Sequence, residues 1–248
     1  MRTGTVRVDE LREILLQAGL ADRVRVGVSS PPPEAGPVPN THRTFERTRE
    51  PTPGAGETFS PDVLLRPTSH EGRLIELCGE ASSGKTALAY RAAAFVSARG
   101  ELVGWVDLPN SLDPRYLQRA GVRLDDVLWV RPPGLQAALR TAELLIKTGF
   151  ALVVLDLEGA PPRELARLGA SVWTRLGRAL RESRATALLL GSQGAAGAFA
   201  TLGARIERRR ALFDRGLFEG LEGQLEVLRR RSGPPGESLA FAVAHRAQ

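Results

Sequence analysis

The feature that most constrains this chain is the eight-residue segment GEASSGKT at residues 79–86. It matches GxxxxGK[ST] at every fixed position, follows the apolar run RLIELC, and precedes the helical pattern TALAYRAAAFVSA. Glycines let the backbone curl so that successive N–H groups point at phosphate oxygens, and the start of the following helix adds partial positive charge. The sequence therefore predicts a strand, a phosphate-binding loop and a helix, which together begin an α/β fold.

The residues of this loop have separate expected roles. Lys85 would reach the β and γ phosphates of ATP, and the Thr86 hydroxyl would take one position around Mg²⁺. Only Lys85 and Lys147 are lysines among the 34 basic side chains. A compact ammonium fits such a loop and a planar guanidinium does not. The candidate ATP-binding residues here are Gly79, Glu80, Ala81, Ser82, Ser83, Gly84, Lys85 and Thr86.

A second acidic position is expected at the end of another strand. The run FALVVLD places Asp156 at the carboxyl end of an apolar strand, where open parallel sheets bind their ligands. Its expected role is to hold the Mg²⁺ shell, mostly through water. Glu158 is a nearby carboxylate to which the sequence assigns no role.

The order of apolar and amphipathic segments predicts the fold class. Apolar runs lie at 73–78, 102–107, 126–130, 150–156 and 186–191, and helical patterns lie at 84–99, 112–120, 134–148 and 163–184. This alternation is typical of a mostly parallel sheet covered on both faces. Segments 201–209, 223–231 and 238–245 alternate apolar and polar residues, and we expect them to extend the sheet as antiparallel strands.

The amino-terminal quarter has a different composition. Residues 1–28 contain an amphipathic helical pattern at 8–20, which is expected to dock in cis or in trans because it cannot bury its apolar stripe alone. Residues 29–61 are rich in proline and glycine and are predicted to be a linker. The predicted core occupies 62–248.

Charge and cysteine content narrow the function classes. The single cysteine, Cys78, excludes an internal disulfide framework and fits a reducing compartment, and no apolar run is long enough to cross a bilayer. The net charge is +6, and residues 151–248 hold 15 basic against 10 acidic side chains. That excess suggests a polyanionic partner.

Residues 72–89 and 104–139 closely resemble the phosphate-loop region of RecA recombinases and the segment that follows it. The resemblance implies a RecA-like ATP-binding core over 62–248. It also implies that Asp113 and Tyr116 hold adenine, Tyr116 by stacking. TALLLGSQ resembles the strand that ends in the family's glutamine switch, which makes Gln193 the expected sensor of the γ phosphate.

One departure from the family bears on catalysis. RecA proteins have a catalytic glutamate two residues after the aspartate that Asp107 matches, and this chain has Pro109 there. Neither Glu101 nor Asn110 stands at the matching position. Because losing a general base costs about 10²–10⁴-fold in rate, we expect ATP to bind and its hydrolysis to be slow or to need another group.

The segments that match the family's DNA-contacting loops are also short. Asp156 is followed by LEGAPP before a helical pattern begins, and Gln193 is followed by GAAGAF before the next strand pattern. RecA proteins grip single-stranded DNA with these two loops. Their shortness disfavours strand exchange.

This combination is similar to the ImuA group, short RecA relatives of bacterial mutagenic translesion synthesis. The resemblance implies a damage-induced (SOS) ATP-binding accessory protein in the cytoplasm, associated with the nucleoid. Its partners would be an ImuB-like homologue of Y-family polymerases, with RecA, an error-prone replicative-type polymerase and single-stranded DNA as further candidates. The protein is also expected to be able to associate with copies of itself.

The basic excess supplies candidate DNA contacts. One helix, predicted over 163–184, carries an arginine stripe, and two arginine triplets end successive predicted strands, where they are expected to lie side by side. A solvated helix face, a cross-subunit phosphate contact and simple solubility are the alternatives. The candidates are Arg163, Arg167, Arg178, Arg181, Arg208, Arg209, Arg210, Arg229, Arg230 and Arg231.

Three functions remain open from the sequence. The first is an ATP-binding adaptor with weak ATPase activity or none. The second is an active DNA-dependent ATPase, a RecA paralogue that forms oligomers on single-stranded DNA. The third is a capping subunit that binds RecA and uses ATP only structurally.

Overall fold

A computed structural model describes residues 24–26, 72–215, 217–231 and 236–244. The predicted amino-terminal helix at 8–20 and the linker at 29–61 lie outside the described residues. The predicted core is described from residue 72 onward, apart from residues 216, 232–235 and 245–248.

Strands and helices alternate through the first two thirds of the described core. The strands are β1 (Val24–Val26), β2 (Arg73–Cys78), β3 (Val103–Asp107), β4 (Val127–Val130), β5 (Leu152–Asp156), β6 (Thr186–Gly191), β7 (Leu202–Asp214), β8 (Leu217–Arg230) and β9 (Ser238–Ala244). The helices are α1 (Lys85–Ser97), α2 (Pro114–Arg119), α3 (Leu135–Lys147), α4 (Pro162–Ala166) and α5 (Ala170–Ser183). Short 3₁₀ turns lie at Leu124–Asp126 and Gly197–Phe199.

The nine strands in the described residues join one sheet in the order β1-β4-β3-β5-β6-β2-β7-β8-β9. Strands β4, β3, β5, β6, β2 and β7 run parallel, while β8 and β9 continue the sheet antiparallel. This confirms the predicted α/β class with its antiparallel carboxyl-terminal extension. The long β7–β8 hairpin begins as a parallel neighbour of β2, which the sequence pattern did not indicate.

The sheet is covered on both faces, as the continuous apolar runs predicted. On one face α3 and α5 pack against the sheet through residues such as Leu139, Leu145 and Leu176. On the other face α1 contributes Leu88 and α2 contributes Leu117 to a cluster that reaches Phe241 in β9. The carboxyl ends of the parallel strands lie together at one edge of the sheet, between the two helical layers. Ligands of such sheets bind at that edge.

Two predictions were wrong. The single helix predicted at 163–184 is two helices, because residues 167–169 form a tight turn and Gly169, in an extended conformation, begins α5. The two arginine triplets do not lie side by side. Arg229 pairs with Gly203, whereas Arg208 lies five residues further along β7, about 17 Å away at the rise of a strand.

The edge strand β1 was not anticipated. Its three residues pair antiparallel with β4, Val24 opposite Val130 and Val26 opposite Leu128. Part of the segment predicted as an amino-terminal appendage therefore belongs to the central sheet.

Candidate functional site

The sequence-predicted site residues gather at the carboxyl edge of the sheet. The loop 79–84 connects β2 to α1, Asp156 ends β5, and Gln193 lies two residues after β6. Gly79 N donates to Gly191 O at 3.1 Å, which ties the start of the loop to the end of β6. Because β6 lies between β5 and β2, these three chain segments meet at one place.

Two glycines in the loop are required by close approach. A Cβ at Gly79 would stand 2.3 Å from the Ile206 carbonyl oxygen. Gly84 has φ +103°, a conformation that favours glycine, and a Cβ there would stand 2.9 Å from Leu221 Cδ1. The loop therefore has no room for a side chain at Gly79, where it passes against the β7 backbone, and at Gly84 the positive φ is the stronger requirement because the Leu221 side chain is able to shift.

The first residue of α1 is a buried lysine. Lys85 is 4% exposed, and its Nζ donates to Gly79 O at 3.0 Å and to Glu80 O at 2.9 Å. The Glu158 carboxylate lies 2.9 Å from the same nitrogen. The ammonium is thus held at the centre of the curled loop, and its third contact is an anion. Sequence reasoning noted Glu158 without giving it a role.

The acid at the end of β5 is buried close to this ammonium. Asp156 is 4% exposed and its Oδ1 accepts a hydrogen bond from Glu158 N at 3.0 Å. Burial raises the pKa of Asp156 to about 6, with smaller upward contributions from Asp107 and Glu158 and opposing ones from the Glu158 N–H and Lys85. A divalent cation or a further hydrogen-bond donor would favour its ionised form.

These residues fit a phosphorylated ligand with Mg²⁺. Ser83 Oγ, also in the loop, is buried and has no hydrogen-bond partner among the described residues. Within the described part of the chain, no three His, Cys, Asp or Glu side chains cluster to form a metal site. Mg²⁺ is commonly held by one or two carboxylates together with substrate phosphates. Asp156 and the Thr86 hydroxyl would supply the protein's share of that shell.

The end of β3 lies beside β5 and carries a different arrangement. Asp107 is fully buried and pairs in register with Asp156. Its carboxylate accepts hydrogen bonds from Ser111 N at 3.0 Å, Leu112 N at 3.0 Å and Trp129 Nε1 at 3.1 Å. Asp107 therefore fixes the segment that follows β3. Pro109 lies within that segment, two residues beyond the strand, and offers no side-chain acceptor.

Gln193 lines a cavity of about 880 Å³ together with loop residues Gly79, Glu80 and Ser83. Glu76 also lines this cavity, and its buried carboxylate lies between apolar residues of β2. Its Oε1 accepts hydrogen bonds from the N–H groups of Ala195, at 2.5 Å, and Ala196, at 2.8 Å. Glu76 thus fixes the segment after Gln193. Its acidic side chain within an apolar run was the signal that sequence reasoning left unused.

The two residues expected at adenine make different contacts: Tyr116 lines a cavity, and Asp113 is engaged within its own helix. Tyr116 is 45% exposed and lines a second cavity, of about 510 Å³, with Tyr90 from α1 and Phe218 from β8. Asp113 instead caps α2, accepting from Arg115 N at 2.9 Å and pairing with the Arg115 guanidinium. That ion pair holds the pKa of the Asp113 carboxyl below its usual range.

The basic candidates occupy three places. Arg163 and Arg167 are exposed at α4, Arg178 pairs with Glu182 on α5 at 2.8 Å, and Arg208 and Arg229 reach the larger cavity. Several of the others are engaged by neighbouring side chains or line smaller cavities. Arg209 hydrogen-bonds Gln224, Arg230 pairs with Glu237 at 3.0 Å, and Arg181 and Arg231 line one cavity of about 240 Å³.

No helix in the described part of the chain is both long and apolar enough to span a membrane.

Known proteins that are similar to this chain match mainly the first half of its core. A family model described as RecA N-terminal domain matches residues 66–165. Protein RecA of Bacillus pumilus is 34% identical over 134 residues, covering 48% of this chain and 39% of that protein. Protein RecA of Limosilactobacillus reuteri is 40% identical over 86 residues, covering 34% and 24%. Protein RecA of Streptomyces venezuelae is 30% identical over 165 residues, covering 60% and 44%.

Over this region the chain is similar to RecA proteins, and the likeness agrees with the α/β sheet that the structure shows. The matched region spans less than half the length of each of these relatives. It ends within the core, at residue 165 in the family model.

Proposed function

We propose that the protein is a RecA-like ATP-binding accessory protein that acts as an adaptor in damage-induced mutagenic DNA repair, in the manner of ImuA proteins. ATP and Mg²⁺ are its ligands. An ImuB-like homologue of Y-family polymerases is its main partner, and RecA, an error-prone replicative-type polymerase and single-stranded DNA are the others. Its place of action is the nucleoid within the cytoplasm.

The observation that carries the proposal is the buried ammonium of Lys85 at the centre of the 79–86 loop. The ammonium contacts two backbone carbonyls and one carboxylate, and an anionic ligand that replaces the Glu158 carboxylate would keep its charge paired, while the nearby Asp156 supplies an oxygen for a cation. Triphosphate with Mg²⁺ satisfies both groups at once. When such a ligand binds, Lys85 and the N–H groups of the loop hold its phosphates, and the negatively charged Asp156 carboxylate helps to hold the cation.

An accessory role is favoured over strand exchange by the two connections next to this loop. Five residues join β5 to α4, and ten residues containing one 3₁₀ turn join β6 to β7. Connections of this length leave little chain to surround a DNA strand. Pro109 adds to this, because the segment after β3 has no side-chain acceptor at that position for the proton of an attacking water.

The decisive test compares Lys85→Ala with Lys147→Ala. Lys147 is the other lysine of the chain and is exposed on α3, paired with Glu143 at 2.6 Å. We expect the first change to weaken binding of a fluorescent ATP analogue about 10- to 100-fold, the cost of losing charged hydrogen bonds, and the second to leave binding unchanged. Equal binding by both variants would contradict the proposed ATP site.

The adaptor role needs a second measurement. Purified protein is mixed with an ImuB-like partner or with RecA, with and without ATP, and complex formation is followed by sedimentation. Complex formation that requires Lys85 supports a nucleotide-controlled adaptor. Absence of any complex with either partner would refute the role while leaving the ATP site standing.

An active DNA-dependent ATPase is the second candidate, and one observation favours it. Gln193 lines the same cavity as the phosphate loop, so a γ phosphate bound there would lie near an amide that is able to report it. Turnover that rises strongly with single-stranded DNA and disappears in Lys85→Ala would select this candidate.

A further inference from the structure

The third contact of Lys85 bears on the missing glutamate at position 109. In loops of this kind the lysine ammonium meets oxygens of the β and γ phosphates. In this structure one Glu158 carboxylate oxygen lies 2.9 Å from Lys85 Nζ. A carboxylate oxygen therefore stands where an oxygen of the outer phosphates would stand.

The sheet register makes positions 109 and 158 counterparts. Asp107 of β3 and Asp156 of β5 are direct partners in a parallel ladder, and both end their strands. Pro109 follows the first by two residues and Glu158 follows the second by two. Since β5 lies nearer than β3 to the strand that feeds the phosphate loop, a carboxylate at 158 approaches the loop from the closer strand.

The backbone of Glu158 is fixed while its side chain has room. Its N–H donates to Asp156 Oδ1 at 3.0 Å, and the preceding N–H, of Leu157, donates to Leu190 O at 2.9 Å. The Glu158 side chain is 33% exposed, against 5% for Lys85. A triphosphate bound at the ammonium would displace this carboxylate, and the partial exposure of the Glu158 side chain leaves it a solvent-facing side towards which to move.

We propose that Glu158 is the catalytic residue that orients and deprotonates the attacking water in slow ATP hydrolysis by this chain, a role that rests on the proposed ATP site. The water oxygen forms a bond to the γ phosphorus. The bond from that phosphorus to the β–γ bridging oxygen breaks, and its electron pair leaves with ADP. The proton of the water passes to the Glu158 carboxylate and from there to solvent, while Lys85 offsets the negative charge on the phosphates.

The test is the isosteric change Glu158→Gln, with Glu101→Gln as matched control. Glu101 lies at the opposite end of β3, paired with Arg99 at the surface. Single-turnover hydrolysis of ATP is expected to fall about 10²–10⁴-fold in Glu158→Gln and to stay unchanged in Glu101→Gln. The affinity of Glu158→Gln for ATP, measured with a fluorescent analogue, is expected to equal or exceed that of the native chain, because an anion that competes for Lys85 has been neutralised.

Three results would overturn the proposal. They are a native chain that binds ATP without hydrolysing it, a Glu158→Gln variant that hydrolyses ATP at the native rate, and a Glu158→Gln variant that no longer binds ATP. The last result would make Glu158 a structural partner of Lys85. If the native chain itself bound no ATP, the proposed ATP site would fail, which is distinct from each of these.

Discussion

Replacing Asp156 with Asn should stabilise the ligand-free protein at neutral and alkaline pH. Asp156 is almost completely buried at the end of β5, and burial raises its pKa from 3.8 to about 6. The folded chain therefore keeps this proton to a higher pH than the unfolded chain does. The stability that the protonated group contributes is complete below pH 4 and is lost as the pH rises through about 6.

The size of the effect follows from that shift. Two pKa units correspond to about 3 kcal/mol in the free energy of unfolding, the full cost of ionising Asp156 at pH 8. At pH 5, between the two pKa values, the cost is about half as large. Asn carries no charge and keeps an oxygen that is able to accept the Glu158 N–H. The variant should therefore gain about 2–3 kcal/mol at pH 8 and about half of that at pH 5.

Urea unfolding followed by circular dichroism, at both pH values and with EDTA present, measures the gain. The variant should also lose the Mg²⁺-dependent part of its ATP affinity, because the cation's carboxylate is gone. A variant that is no more stable than the native chain at pH 8, or that is equally stabilised at both pH values, would show that ionising the buried Asp156 does not cost the native chain stability. Unchanged Mg²⁺ dependence would remove Asp156 from the cation site.

Two further changes test the loop and the basic surface. Gly84→Ala should lower the free energy of unfolding in urea by about 1–3 kcal/mol and weaken ATP binding. The reason is that φ of residue 84 is +103° and the new methyl group meets Leu221. A variant as stable as the native chain would contradict both. Replacing the exposed Arg163 and Arg167 together with Gln should leave ATP affinity intact and weaken binding to single-stranded DNA. The salt slope of that binding should fall by about 1.4 if each arginine meets one phosphate, and an unchanged slope would place the DNA contacts elsewhere.

The fold was predictable where pattern and local chemistry agree. The predicted strands at 73–78 and 186–191 are confirmed at both ends, because each is a short and mostly apolar run that suits a strand buried on both faces. The break at 167–169 was not predictable from periodicity, since Leu165, Leu168 and Val172 keep helical spacing across the turn. The separation of the arginine triplets depends on antiparallel register, which fixes distances that the order of residues along the chain does not show.

The site divides in the same way. The loop 79–86 announces itself because backbone curvature requires glycine at fixed places. The contact between Lys85 and Glu158 joins residues 73 positions apart, the first residue of α1 and a residue of the loop that follows β5. Only the strand order brings them together. Asp113 shows the reverse case, where a residue singled out by likeness also satisfies a local rule, that of capping a helix with proline at its first position.

The pairing of β1 with β4 has a consequence for how much of the chain makes a complete sheet. Strand β4 would otherwise be an outer strand with backbone N–H and C=O groups open to any passing extended segment. A version of the protein that starts near residue 62, where the sequence places the core, would expose that row. Residues 24–26 thus cover the outer edge of β4 and satisfy its backbone hydrogen bonds. A fragment meant to hold the complete sheet should therefore include these residues, which precede the proline-rich stretch.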